Sequence, residues 1–136
     1  MNNSSILDRE IPLCNLDDLE KRQAIELDIN GRRLFAVRQE DQLYAYWNIC
    51  PHLGIPLNWM PDRFLDLEGT LIQCSSHGAL FQIDDGECIA GPCSGDRLMS
   101  VVLRREERMF YVAANQSMPA APINLREQAL ADLEDN

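Results

Sequence analysis

The stretch "AIELDINGRRLFAVR" (24–38) decides how the chain is built. Ile25, Leu27 and Ile29 alternate with Glu26, Asp28 and Asn30, the period of a strand with one buried face. Asn30-Gly31 is a two-residue hairpin signal, because both positions tolerate the positive φ of a type I′ turn. "RRLFAVR" (32–38) then returns, and "QLYAYW" (42–47) follows the polar turn "QEDQ" (39–42) as a third strand. Further along, "TLIQ" (70–73) reads as a short strand, and "ALFQI" (79–83) and "ECIA" (87–90) flank a second hairpin signal at Asp84-Asp85-Gly86. "RLMSVVLRR" (97–105) and "RMFYVA" (108–113) close the series through a charged turn at Arg105 to Arg108.

Strands, a loop-rich insertion and strands again give an all-β chain. Neither half holds enough strands for a complete set, so the last two are expected to pair with the first group. The expected fold is a small antiparallel β-sandwich over 1–113 with an inserted subdomain at about 48–93. After Ala114, "NQSMPAAP" (115–122) reads as a linker. "NLREQALADLEDN" (124–136) offers Asn124 as N-cap, Glu127 three residues on, and Leu125, Ala129 and Leu133 on one face. Residues 114–136 are thus expected to be a linker and a short C-terminal helix. No repeat of 20 to 50 residues is visible.

The 136 residues suit one domain with a core of its own. "MNNSSILDRE" has neither the basic nor the apolar region of a signal peptide. The charge-free run from Gln42 to Pro61 contains three prolines, two asparagines and a histidine, so it is no membrane span. A cytoplasmic protein is expected. Twelve basic against 22 acidic residues, a net charge of −10, disfavour nucleic acid. Between Cys50 and Cys93, Asp62, Asp66, Glu68, Asp84, Asp85 and Glu87 face only Arg63, a local charge of −5. These acids serve solubility, or they present a face to a partner with a basic docking surface.

"CPHLG" (50–54) and "CSSHG" (74–78) hold both histidines of the chain, with 21 residues between His52 and Cys74. Five cysteines, an odd number, make a poor disulfide framework for a cytoplasmic chain, so ligation is the better use for some. Cys50, His52, Cys74 and His77 could complete a tetrahedral zinc site. Zinc fingers, however, pair like ligands, whereas each loop here offers one thiolate and one imidazole. A binuclear site with two bridging sulfides fits that mixture better. Cys14, Cys88 and Cys93 read as buried thiols or packing near the site. Trp59 either shields the site or packs in the core. No nucleophile–base pair and no phosphate-binding glycine loop is visible.

With "CPHLG", "CSSHGALF" and "GPC" (91–93), the chain from "IPLC" (11–14) to "FYV" (110–112) resembles the Rieske [2Fe–2S] proteins. The resemblance implies one [2Fe–2S] cluster, with Cys50 and Cys74 on an inner iron, His52 and His77 on an outer one, and "GPC" as a proline loop above it. It also implies stacked antiparallel sheets with an inserted cluster subdomain. Two ferric ions, two sulfides and two thiolates sum to zero, whereas four thiolates give −2, so adding an electron costs less work here. The spacer is longer than usual for small Rieske ferredoxins, and "NWMPDRF" (58–64) is expected to form a loop near the cluster.

Departures from the family narrow the subtype. Ile55 and Ser76 stand where cytochrome bc-type members have a bracing disulfide. Ala79 and Phe81 stand where high-potential members have a serine and a tyrosine donating to sulfur. The resemblance therefore implies a soluble, low-potential ferredoxin, a one-electron carrier between a reductase and a terminal oxidoreductase such as an aromatic-ring oxygenase. It has no catalytic residues of its own. The alternatives are a small Rieske subunit of a larger enzyme, such as the nitrite reductase type, and a zinc-stabilised interaction module.

Overall fold

The computed structural model describes residues 6–21, 23–29, 31–49, 51, 57, 64–74, 78–91 and 93–119. Among these, the strands in chain order are β1 (Ile6–Leu7), β2 (Ile11–Asn15), β3 (Ala24–Ile29), β4 (Arg32–Gln39), β5 (Gln42–Trp47), β6 (Leu71–Gln73), β7 (Leu80–Gln82), β8 (Cys88–Ala90), β9 (Leu103–Glu106), β10 (Met109–Val112) and β11 (Gln116–Ser117). Every strand pairing is antiparallel. The sheets run β3-β4-β5, β2-β10-β9, β6-β7-β8 and β1-β11. The all-β antiparallel expectation is borne out. No helix among the described residues is long and apolar enough to cross a membrane.

The β3-β4-β5 sheet lies between two cores. Leu34 and Ala36 of β4, with Leu43, Ala45 and Trp47 of β5, face a cluster that includes Phe110 and Val112 of β10. Phe35 and Val37, with Tyr46, face the other way, against Ile72, Cys74, Phe81 and Cys88 of the β6-β7-β8 region. Both faces of β4 are covered, so Leu34–Val37 form an unbroken apolar run. On the outer strand β3, Ile25, Leu27 and Ile29 turn toward the first of these clusters, in keeping with the alternation of its sequence. The β3–β4 turn has two residues between Ile29 and Arg32, Gly31 sits at φ 84°, and the Gly31 N–H donates to the Asp28 carboxylate.

The expected pairing of the last two strands with the first group needs correction. β10 pairs with β2, which the strand pattern did not reveal, and with β9. Pro12 in β2 suits that edge position, opposite Tyr111 next to a register shift. Residues 99–101 do reach the first group. The Trp47 N–H donates to the Met99 carbonyl, the Val101 N–H donates to the Ala45 carbonyl, and Tyr46 bridges Ser100.

Residues 115–119 remain part of the body. Gln116 and Ser117 pair with Leu7 and Ile6, Met118 is buried, and the Pro119 carbonyl accepts from Arg32 Nε. The Gln116 side-chain amide also bonds the backbone of Val102 in both directions, at 2.9 Å each. The helix expected at 124–136 lies outside the described residues.

Candidate metal centre

Of the four candidate ligands, Cys74 is described; Cys50, His52 and His77 lie outside the described residues. Cys74 follows β6 directly and is fully buried in the cluster that holds Phe35, Leu57, Phe64 and Phe81. Its N–H donates to the Ala79 carbonyl at 2.9 Å, and its carbonyl accepts from the Gly78 N–H at the same distance. The ends of the "CSSHG" segment are thereby tied together at the point where β6 turns into β7. Gly78 adopts φ 67°, a left-handed conformation that glycine takes without strain.

The first segment is closed differently, by a side chain. Asn48 follows β5 and is fully buried. Its Oδ1 accepts from the Leu57 N–H at 2.7 Å, and its Nδ2 donates to Glu26 Oε2 at 3.1 Å. Cys50 and His52 fall between Asn48 and Leu57 in the sequence. Leu57 in turn packs in the same buried cluster as Cys74, which brings the closed end of the first segment to the second. Asn48 escaped the sequence reading. Its signal was a lone amide at the end of an apolar strand, two residues ahead of Cys50.

The third segment follows β8. Leu80 pairs with Ala90, so Gly91 arrives beside Ala79 at the same end of the sheet as Cys74. The Ser94 hydroxyl and N–H both donate to the Gly91 carbonyl, and the Asp96 N–H donates to the Cys93 carbonyl. Pro92 lies outside the described residues. Of the "NWMPDRF" stretch only Phe64 is described. It is core rather than loop, stacked on Phe35 with centroids 4.3 Å apart and planes 8° from parallel. Trp59 lies outside the described residues.

Tyr46 joins the site region to the central sheet. Its hydroxyl donates to the Ile83 carbonyl, and its ring fills the space a side chain on Gly86 would need. Burial, then Asp85 and Asp84, push its hydroxyl well above the ordinary phenol value, so it remains a neutral donor. Cys14, Cys88 and Cys93 are buried thiols outside any disulfide, as expected.

What this end of the molecule can hold follows from its chemistry. A thiolate is costly in a dry apolar cluster unless a metal compensates its charge. Cys74 has that setting, in a cluster where the small residues Ala79 and Gly91 pack directly on each other.

Comparison with known proteins agrees with this chemistry. Residues 9–116 match the family described as Rieske [2Fe-2S] domain. The ferredoxin component of the naphthalene 1,2-dioxygenase/salicylate 5-hydroxylase systems of Ralstonia sp. is 30% identical over 81 residues, covering 60% of this chain and 73% of that protein. Apoptosis-inducing factor 3 of Homo sapiens is 28% identical over 111 residues, covering 79% of this chain but only 17% of that protein. The chain thus spans about a sixth of that longer relative. Among solved structures, a chain of the complex of reduced oxygenase and oxidized ferredoxin in carbazole 1,9a-dioxygenase superposes with a TM-score of 0.64 at 25% identity. That match covers 81% of this chain and 97% of that one. The chain belongs to the Rieske [2Fe–2S] family, and its cofactor is one [2Fe–2S] cluster of the Rieske type.

Proposed function

We propose that the protein is a Rieske ferredoxin, a one-electron carrier that takes an electron from a reductase and delivers it to a terminal oxygenase. Cys50, His52, Cys74 and His77 hold the cluster. The observation that carries this reading is Cys74, a fully buried free thiol at the root of a segment tied shut by its own backbone. The cluster supplies a reversible one-electron couple; the chain's residues fix the ligands, exclude water and set the potential. It serves an oxidoreductase system without catalytic residues of its own. Its buried thiols suit the reducing cytoplasm.

Charge is distributed unevenly along the chain, and one acidic stretch favours docking. From Phe64 to Asp96 the chain carries Asp66, Glu68, Asp84, Asp85, Glu87 and Asp96, and neither lysine nor arginine. In the β2-β10-β9 sheet, by contrast, arginines are matched by carboxylates: Arg104 with Glu10 and Glu106, Arg108 with Asp17. A partner with a basic surface suits this acidic stretch.

Metal and sulfide analysis tests the reading most directly. Protein prepared anaerobically contains about two irons and two acid-labile sulfides per chain. His52→Ala and His77→Ala each abolish the Rieske electron-paramagnetic signal, and Cys14→Ser leaves it unchanged. Stoichiometric zinc without sulfide would overturn the reading in favour of an interaction module. A subunit of a larger enzyme, unlike a carrier, co-purifies with its partner.

A further inference from the structure

We propose that Asn48 is a positioning residue for the cluster, acting as a clamp between Glu26 and Leu57. The proposal rests on the ligand assignment above, because the stretch it closes carries Cys50 and His52. Asn48 is fully buried and joins three parts of the chain. Its N–H donates to the Arg33 carbonyl of β4 at 2.8 Å. Its Nδ2 donates to Glu26 Oε2 on β3, and its Oδ1 accepts from the Leu57 N–H at 2.7 Å. The Glu26 carboxylate is mostly covered and is itself held by Arg33, 3.3 Å from Nη1. The stretch that begins and ends at this amide is therefore anchored to two neighbouring strands of the central sheet.

Among side chains of this size, only an amide meets both demands. The Leu57 N–H needs an acceptor and the Glu26 carboxylate needs a donor. Aspartate could serve Leu57 but would set a second carboxylate against Glu26; alanine or leucine would serve neither. Buried hydrogen bonds of this kind strengthen one another and are costly to leave half made. Asn48 is also within about 8 Å of Cys50 along the chain, since consecutive Cα atoms are about 3.8 Å apart. Distortion of the clamp, or charge placed on it, is thus felt at the cluster.

Purified holo-protein is compared as wild type, Asn48→Ala, Asn48→Asp, Glu26→Gln and the double variant Glu26→Gln/Asn48→Asp. The readouts are iron and sulfide content, the electron-paramagnetic g-values, the midpoint potential, the rate of cluster loss to a chelator, and the thermal midpoint of the polypeptide. Asn48→Ala and Asn48→Asp lose the cluster about tenfold faster than wild type or more, as expected for unpaired buried groups. Their g-values shift while the β-sheet body still melts cooperatively above the assay temperature. In the double variant the amide introduced on β3 donates to the carboxylate introduced at the clamp, so cluster retention returns toward wild type. The midpoint potential of the double variant falls below wild type, because the negative charge has moved from β3 toward Cys50.

Three results would overturn the clamp: wild-type retention and g-values in Asn48→Ala, a double variant no better than Asn48→Asp, or cluster loss that only tracks unfolding of the whole domain. A wild type without iron and sulfide would instead overturn the ligand assignment beneath it.

Discussion

A Cβ built on Gly91 would lie 2.9 Å from the Cα of Ala79 and 3.0 Å from its Cβ. The segment after β8 therefore rests directly on the start of β7, one residue beyond Gly78. Gly91 also has φ 103°, where a side chain is strained whatever the space.

Two penalties coincide in Gly91→Ala, backbone strain and overpacking against a backbone atom, and each costs about 1–3 kcal/mol. The thermal midpoint is expected to fall by about 8 °C or more, at roughly 4 °C per kcal/mol for a domain between the smaller and larger size ranges. Cluster loss to a chelator should quicken in parallel. A melt equal to wild type would mean that the segment moves aside freely and does not cover the site.

Cys14 makes stability depend on alkaline pH. Burial, and secondarily Asp18, push its thiol up to about 11 from an ordinary value of 9.0. The folded form keeps the proton that the unfolded chain releases first, so the stabilisation is complete below about 9 and is lost as pH rises toward 11. The slope is at most about 1.4 kcal/mol per pH unit. Denaturant melts of wild type and Cys14→Ala between about pH 8 and 11 measure it as the difference between two curves. Parallel curves would show that the thiol is reached by water.

The fold was largely legible wherever pairing partners are neighbours in sequence. β3, β4 and β5 show their period or their apolar run and are joined by two-residue turns. β2 and β11 were not legible, because their partners lie at the far end of the chain and Pro12 blurs the strand pattern. The thiol–imidazole pairs named the cofactor chemistry, since few sites use that mixture. Asn48 could not be read as a clamp, because its meaning depends on Glu26 and Leu57 arriving beside it.

Docking should respond to salt. If the carboxylates between Phe64 and Asp96 guide a basic partner, electron transfer from the cognate reductase slows as ionic strength rises, with the Debye length falling from about 10 Å at 0.1 M to about 3 Å at 1 M. Asp84→Asn and Glu87→Gln together should flatten that dependence. A rate indifferent to salt in the wild type would leave these carboxylates a role in solubility alone.

The subtype can be tested through Ala79 and Phe81, which present no donor and are both buried. Phe81 shares the buried cluster with Cys74, and Ala79 accepts the Cys74 N–H through its carbonyl. A hydroxyl directed at sulfur stabilises the reduced cluster, because reduction adds negative charge. Hydrogen bonds to charged groups contribute about 1.5–3 kcal/mol, and sulfur acceptors fall at or below the low end. About 1.4 kcal/mol corresponds to about 59 mV for one electron. Ala79→Ser and Phe81→Tyr should therefore each raise the potential by roughly several tens of millivolts from a wild-type value near about −150 mV, the low end of the Rieske range. The two replacements differ in what failure would look like. Serine adds one oxygen beside Gly91, whereas tyrosine must find a partner in a dry core or cost about 1–3 kcal/mol of stability. A wild-type potential well above zero, or a stable double variant with no upward shift, would mean that backbone N–H groups already satisfy the sulfurs.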